Sequence, residues 1–262
     1  KVGDRVAAIF NQGHLYGADH TSEAANTDLG GSLDGTLTEY RVFPEDGLVH
    51  IPSHLSFEEA ATLPCAAVTA WNALYGYKPL LPGQTVLLQG TGGVSIFGLQ
   101  LAHAAGARTI VTSSSNEKLE LAKKLGATHT INYVENPDWE KEVLRLTNGQ
   151  GADHILEVGG AGTLGKSFQC VRKGGVITII GLLSKDQPID SANIIFMLIG
   201  TGASLRGVFV GSRQLFEDMN KAFEVSKIKP LVDKVFPFEQ AKEAYEYLQS
   251  QKHVGKIVIK IH

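Results

Sequence analysis

The chain has 262 residues, 43% of them hydrophobic and 19% charged, which is enough apolar material for a sizeable core and argues against disorder. Lys plus Arg (24) against Asp plus Glu (27) leaves a formal net charge of −3, so there is no electrostatic basis for a nucleic-acid or anionic-membrane partner. Two cysteines, Cys65 and Cys170, are too few for a disulfide framework and fit a reducing cytoplasm, and the longest apolar run, Ile194–Ile199, is far short of the ~20 residues that span a bilayer.

In chain order, Lys1-Val2-Gly3-Asp4-Arg5-Val6 reads as a turn entering a strand, without an initiator Met or targeting segment. The chain is therefore expected to begin inside a domain, with upstream residues absent. Short apolar runs at Val6–Phe10, Leu37–Phe43 and Leu48–Ile51 predict small strands joined by long loops. Between them Asn11–Asp34, polar and rich in Gly and His, is expected to be an exposed loop, with His14 and His20 on its surface. Ser56-Phe57-Glu58-Glu59 has the capping-box pattern, because Glu59 can reach back to the Ser56 amide, and it predicts a helix over Glu58–Leu63.

From Thr85 strand and helix alternate. Strand Thr85–Gln89 precedes helix Val94–Ala105, strand Thr109–Thr112 precedes helix Glu117–Leu125 with Gly126 just past its end, and Thr128–Asn132 is a third strand. Asn136 and Pro137 are placed as N-cap and first residue of a helix reaching about Leu146. Strands at Ile155–Val158, Val176–Gly181 and Leu205–Val208 follow, with a helix over Leu164–Val171. Helix Glu239–Gln251 and strand Lys256–Ile261 close the chain. Repeated βα units with short turns predict an α/β fold whose parallel sheet is covered on both faces.

Gly90-Thr91-Gly92-Gly93-Val94-Ser95 lies where an apolar strand gives way to a helix. The spacing is G-x-G-x-x-G with Ser95 in the third place. Gly90 permits the tight turn, Gly92 lets backbone approach a pyrophosphate aimed at the helix N-terminus, and the third position serves close helix–strand packing. Alone such a fingerprint is weak. Preceded by a strand, followed by a helix and by further βα units, it predicts a dinucleotide site.

Four segments resemble the medium-chain dehydrogenase/reductase superfamily, specifically its zinc-independent, quinone-oxidoreductase-like branch. They are Gly35-Thr36-Leu37-Thr38-Glu39-Tyr40, the stretch from Glu59-Ala60-Ala61-Thr62-Leu63-Pro64 through Thr69-Ala70-Trp71-Asn72-Ala73-Leu74, the strand, turn and helix of Val86–Gln100, and Gly255-Lys256-Ile257-Val258. The resemblance implies a Rossmann dinucleotide-binding domain over 56–225. It also implies a partial GroES-like β-barrel substrate domain over 1–55, completed by about 226–262. It further implies that Thr69, Gly159, Gly181, Leu182, Phe209 and Val210 line the ribose–nicotinamide end of the cofactor. Lys256, by its place at the start of the closing strand, is a candidate to reach the pyrophosphate and equally an ordinary exposed terminal-strand Lys. Read by themselves, Gly159 and Gly181 are also ordinary glycine turns and Thr69 an ordinary helix-cap residue.

Zinc-dependent relatives place a Cys ligand where Cys65 stands, but one cysteine is not a metal site, and Cys65 is expected to be a small buried thiol. Asn11–Asp34 contains no cysteine, so the four-cysteine structural zinc lobe of alcohol dehydrogenases is absent. No metal site is assigned. A serine hydrolase needs its nucleophile at a strand–helix elbow, and Ser95 falls inside the helix instead. His129 reads as a structural surface residue. No catalytic acid is assigned.

The cofactor expectation is NADP(H). The second strand ends Thr112-Ser113-Ser114-Ser115-Asn116, with no acidic residue before Glu117. An acid at that corner would bind ribose hydroxyls and repel a 2′-phosphate, whereas Ser113, Ser114 and Lys118 can bind one. Tyr133 resembles a family tyrosine at the adenosine-phosphate end. The sequence thus predicts an NADPH-dependent oxidoreductase reducing a quinone, enone or other carbonyl, a small-molecule substrate, without zinc. The alternatives are a zinc-dependent alcohol dehydrogenase using Cys65, and a cofactor-binding protein with little turnover. The apolar Ile194–Leu198 and a β-rich sheet edge at Leu205–Val210 predict a homodimer, since such an edge is an association hazard unless paired.

Overall fold

A short antiparallel pair opens the chain in the computed structural model, which describes residues 1–22, 24–183 and 191–262. Strand β1 (Val6–Ala8) pairs with β2 (Leu48–His50), Val6 opposite His50. Helix α1 (Phe57–Ala60) starts as expected: the Ser56 amide donates to Glu59 Oε2 at 2.8 Å and the Glu59 amide to Ser56 Oγ at 3.1 Å. It ends at Ala60, and a single π-turn over Leu63–Ala67 leads into α2 (Val68–Tyr75). The predicted strand Leu37–Phe43 does not form. Tyr40 and Val42 are 88% and 94% exposed, so that run has no face to bury and no ladder partner among the described residues.

The alternating region follows. It runs β3 (Thr85–Gln89), α3 (Gly93–Ala104), β4 (Arg108–Ser113), α4 (Asn116–Lys124), β5 (His129–Asn132), α5 (Trp139–Leu146), β6 (Ala152–Glu157), α6 (Ala161–Cys170), β7 (Val171–Ile179), α7 (Ser191–Thr201) and β8 (Ser204–Gly207). Asn136 and Pro137 do not begin α5. The Asn136 amide donates to Asn132 O at 2.8 Å, which holds it in the turn after β5, and the helix starts at Trp139. Then come α8 (Arg213–Ser226), β9 (Val232–Pro237), α9 (Ala241–Gln249) and β10 (Lys256–Lys260). Helix α8 and strand β9 are not anticipated by the sequence reading, and β9 pairs in parallel with β10.

Contacts divide the chain into two units. One comprises Lys1–Asn72, Gly92–Phe97 and Phe209–His262, the other Ala73–Thr91 and Gly98–Val208. The second unit holds one parallel six-stranded sheet in the order β5-β4-β3-β6-β7-β8, the doubly wound α/β arrangement. Its central strands β3 and β6 are buried at every residue, the continuous apolar pattern of strands covered on both faces. Under α5 and α6, Leu87, Ile110, Ile155 and Ile177 pack with Trp139 and Phe168. Helix α3 approaches so closely that a methyl group on Gly98 would stand 2.6 Å from Leu88 Cδ2 and 2.8 Å from Leu156 Cδ2. The close-packing glycine is therefore Gly98, and Ser95 does not have that role.

The first unit is held by individual anchors. Arg5 donates to Leu55 O at 2.6 Å and stacks over Phe57, Asn220 Nδ2 donates to His50 O at 3.0 Å, and Phe97 meets Phe223 with ring centroids 6.1 Å apart.

Candidate functional site

The strand order reverses direction between β3 and β6, and in open α/β sheets ligands bind at the carboxyl ends of strands flanking such a point. The residues at those ends are Gln89 and Glu157. After Gln89 the chain enters the glycine turn, with Gly90 at φ +74°, a conformation that glycine alone adopts freely. A methyl group on Gly90 or Gly92 would meet no atom within 4 Å, so the backbone there is open to an approaching group. Gly93 differs, because its missing side chain is replaced by Lys256 Cδ at 2.5 Å and Ala66 Cβ at 3.2 Å. Gly92 also forms a bridge with Gly255, which brings Lys256 to the start of α3. Thr91 is buried, Val94 lies in the first turn of α3, and Ser95 is buried in the same helix.

Glu157 is fully buried (0% exposed), and its carboxyl oxygens accept from five neutral donors. Gln89 Nε2 donates at 2.7 Å, the Gly159 and Gly160 amides at 2.9 and 3.0 Å, and the Thr163 and Ser167 hydroxyls complete the set. This carboxyl group sits at the N-terminus of α6 and ties the end of β3 to the turn after β6. The sequence reading notes Glu157 only as the residue ahead of two glycines. Gly160 (φ +79°) faces Leu182, and a methyl group on Gly181 would stand 2.8 Å from Val158 O, so the turns after β6 and β7 fit together without side chains between them. Leu182 is exposed.

At the end of β4, Ser113 is buried. Its carbonyl accepts from the Tyr133 amide at 3.1 Å and its hydroxyl from the Ser115 amide at 3.3 Å. Ser115 caps α4 by accepting from the Lys118 amide at 3.4 Å. Ser114 and Tyr133 are exposed and Lys118 half-buried, so Ser114 rather than Ser113 turns its hydroxyl outward at this corner.

In the first unit, Thr69 is buried and its hydroxyl donates to Cys65 O at 2.7 Å, one turn back along the helix. Cys65 sits in the π-turn and, contrary to expectation, is exposed, opening onto a cavity of about 1070 Å³ that Phe10, Pro64 and Lys256 also line. The protein packed around its sulfur pushes the thiol pKa up, opposed by the charge of Lys256 and a hydrogen bond from Thr69. Phe209 is 51% exposed, while Val210 is buried with φ +54°. His14 is buried, not on the loop surface as expected; its ring meets that of His20 edge-on at 6.0 Å, and its carbonyl accepts from the Arg213 amide at 2.9 Å.

Residues 93–225 match the model of a family described as zinc-binding dehydrogenase. A zinc-type alcohol dehydrogenase-like protein of Schizosaccharomyces pombe is 52% identical over 262 residues, covering 99% of this chain and 75% of that protein. The chain belongs to the zinc-binding dehydrogenase family. This is a branch of the medium-chain dehydrogenase/reductase superfamily, whose members are oxidoreductases that use nicotinamide cofactors. The same fold appears in a crystal structure from Sinorhizobium meliloti assigned as an alcohol dehydrogenase, with 43% identity, a TM-score of 0.91, and coverage of 100% of this chain and 76% of that one. An NAD-dependent alcohol dehydrogenase matches at 34% identity and a TM-score of 0.85 over 99% of this chain and 76% of its own. A mycobacterial protein solved with NADPH matches at 26% and 0.73 over 83% and 69%.

The two groups that the family implies fit this chain differently. For a nicotinamide dinucleotide, the unobstructed backbone at Gly90 and Gly92, the helix N-terminus behind it and the hydroxyl and ammonium groups at the β4 corner are donors suited to phosphates. For zinc, no cluster of three His, Cys, Asp or Glu side chains exists among the described residues, and three protein ligands are the minimum for a catalytic site. No step is therefore derived through zinc. No described helix is long and apolar enough to cross a membrane.

Proposed function

We propose that this member of the zinc-binding dehydrogenase family is an NADPH-dependent oxidoreductase that reduces a quinone, enone or other carbonyl compound without zinc. The observation that carries the reading is the open glycine turn at the sheet's switch point, with Ser114 and Lys118 one strand away and no acidic residue in the Ser113–Asn116 segment that ends β4. Bound reduced nicotinamide supplies hydride. The chain's part is to seat the pyrophosphate on the Gly90–Gly93 turn, with Lys256 alongside, and to receive the 2′-phosphate at Ser114 and Lys118, with Tyr133 at the adenosine end. The turns at Gly159, at Gly181-Leu182 and at Phe209-Val210, together with Thr69, hold the nicotinamide end. In this reading residues 1–55 with about 226–262 form the substrate domain and 56–225 the dinucleotide domain, the partial-barrel division expected from the resemblance.

A homodimer in the cytoplasm completes the proposal. Strand β8 is the sheet's edge, and α7 next to it exposes Ile195, Phe196 and Ile199, an apolar surface suited to a second copy. Cys65 and Cys170 are both free thiols, in keeping with a reducing compartment. The deciding measurement is the pair of dissociation constants for NADPH and NADH. At least tenfold preference for NADPH is expected, and equal affinities reject the cofactor assignment. The exposed position of Cys65 favours a second reading, a zinc-dependent alcohol dehydrogenase with Cys65 as one ligand. Stoichiometric zinc that only strong chelators remove would establish it.

A further inference from the structure

We propose that Glu135 is a specificity-determining residue at the adenosine end, an acid that lowers the affinity for NADPH and so limits its advantage over NADH. The inference rests on the reading above that puts the 2′-phosphate at Ser114 and Lys118. The segment from Ser113 to Asn116, which ends β4 and opens α4, has no acidic residue of its own. The fold brings one there from the turn after β5. Asn116, the first residue of α4, donates from Nδ2 to Glu135 Oε1 at 2.6 Å, across 19 residues of chain.

That contact is the last link in a chain of amides. The Val134 amide donates to Asn132 Oδ1 at 3.0 Å, Asn132 Nδ2 donates to Asn116 Oδ1 at 2.9 Å, and Asn116 Nδ2 in turn reaches the carboxylate. Hydrogen bonds linked head to tail polarise one another, and here the final acceptor carries the charge. Backbone bonds pin the same turn: the Tyr133 amide donates to Ser113 O at 3.1 Å and the Asn136 amide to Asn132 O at 2.8 Å. The turn after β5, with Tyr133 and Glu135 both exposed on it, is thus built onto the corner after β4, and all of these residues lie within one contact unit.

The charge on Glu135 is not answered by a cation. Nearby acids differ in this respect, since Glu120 pairs with Lys123, Asp138 with Lys141 and Glu142 with Arg145. Glu135 meets only the neutral amide of Asn116 among the described residues. The end of the second strand is where a doubly wound fold distinguishes a ribose hydroxyl from a 2′-phosphate. With Oε1 taken by Asn116, the carboxylate acts on a bound dinucleotide through its charge. A phosphomonoester carries about two negative charges and a hydroxyl none, so the repulsion falls on NADPH alone. Ser114 and Lys118 attract the same group, and the net preference is the difference between the two effects.

The test is a charge series at this position in the full chain, read as dissociation constants for NADPH and NADH. Glu135→Gln keeps an acceptor oxygen for Asn116 and removes the charge, so NADPH should bind about fivefold tighter while NADH stays within about twofold. Glu135→Lys reverses the charge and should tighten NADPH further, to about 20-fold over wild type. Both gains should shrink in about 0.5 M salt, where exposed charges are screened. NADPH affinity unmoved in both variants, or a gain shared equally by NADH, overturns the inference. So does a loss of NADH affinity, which would make Glu135 a ligand of the ribose hydroxyls. In each of these cases a wild-type preference for NADPH keeps the cofactor reading. Equal wild-type affinities overturn that reading instead, and the charge series still decides the inference by whether NADPH affinity alone moves.

Discussion

Two turns at the carboxyl ends of neighbouring strands are built on one plan, a buried strand running into glycines and then a helix, yet they treat the helix N-terminus in opposite ways. After β3, the backbone of Gly90 and Gly92 faces open space. After β6, the amides of Gly159 and Gly160 are already taken by the carboxyl group of Glu157. A helix N-terminus is an anion site only where the chain does not furnish the acceptor itself. The amides of the first turn are therefore left for a ligand's anion, and those of the second are filled from within the chain.

Deleting the internal acceptor strains this contrast most. Glu157→Ala leaves two amides, two hydroxyls and the Gln89 side chain without their buried acceptor, and a loss of about 3–5 kcal/mol is expected in urea unfolding. A loss below about 1 kcal/mol would mean that water serves the second turn as readily as the first. Strand β6 holds the same contrast within itself. His154, three residues before Glu157, is buried with neither ring nitrogen hydrogen-bonded among the described residues, and burial lowers its pKa from 6.5 to about 4. Below pH 6.5 the unfolded chain binds a proton there that the folded chain resists, so stability is full above that pH and declines as the pH falls toward 4, by about 3 kcal/mol. His154→Leu should flatten that part of the stability–pH curve, and an unchanged curve would show that the imidazole finds a partner.

Gly92→Val tests the first turn directly. NADPH affinity should fall at least about 100-fold, close to 3 kcal/mol, with stability changed by less than about 1 kcal/mol because nothing stands near that position. Gly159→Val should in contrast lower stability, by more than about 1 kcal/mol, since its side chain would collide with Thr163. Removing the charge at the β4 corner is the smallest change. Lys118→Ala should weaken NADPH binding by roughly tenfold, about 1.4 kcal/mol, and leave NADH unaffected.

Much of this framework is legible in the sequence, because a parallel sheet repeats a local rule: an apolar strand, a turn residue, an amphipathic helix. The glycine turn and the Ser56 capping box are equally local, and the structure has both where the spacing puts them. What the sequence hides depends on partners distant along the chain. Glu157 looks like a strand-end acid until Gln89, Thr163 and Ser167 are seen around it. His14 looks like a surface residue because its distant partner, the Arg213 amide at the start of α8, lies far along the chain. Strand Leu37–Phe43 fails for the same reason in reverse, since strand propensity counts only where a neighbour offers a ladder. The packing role given to Ser95 falls to Gly98 because the turn of α3 that touches Leu88 and Leu156 is set by the tertiary packing, one turn further along the helix.

The bridge between Gly92 and Gly255 has a consequence in time as well as in space. Its two ends are separated by 255 − 92 = 163 residues of chain, so this contact carries a large loop-closure entropy and cannot form while the chain is still being made up to β10. The strands of the parallel sheet can pair earlier: most pair with the next strand in sequence, and the longest pairing, β3 with β6, spans far less chain than the Gly92–Gly255 bridge. A nascent or truncated chain that stops short of Gly255 should therefore acquire the sheet's circular-dichroism signature but no protection from exchange at the Gly92 and Gly93 amides. The glycine turn would be among the last parts of the molecule to become rigid.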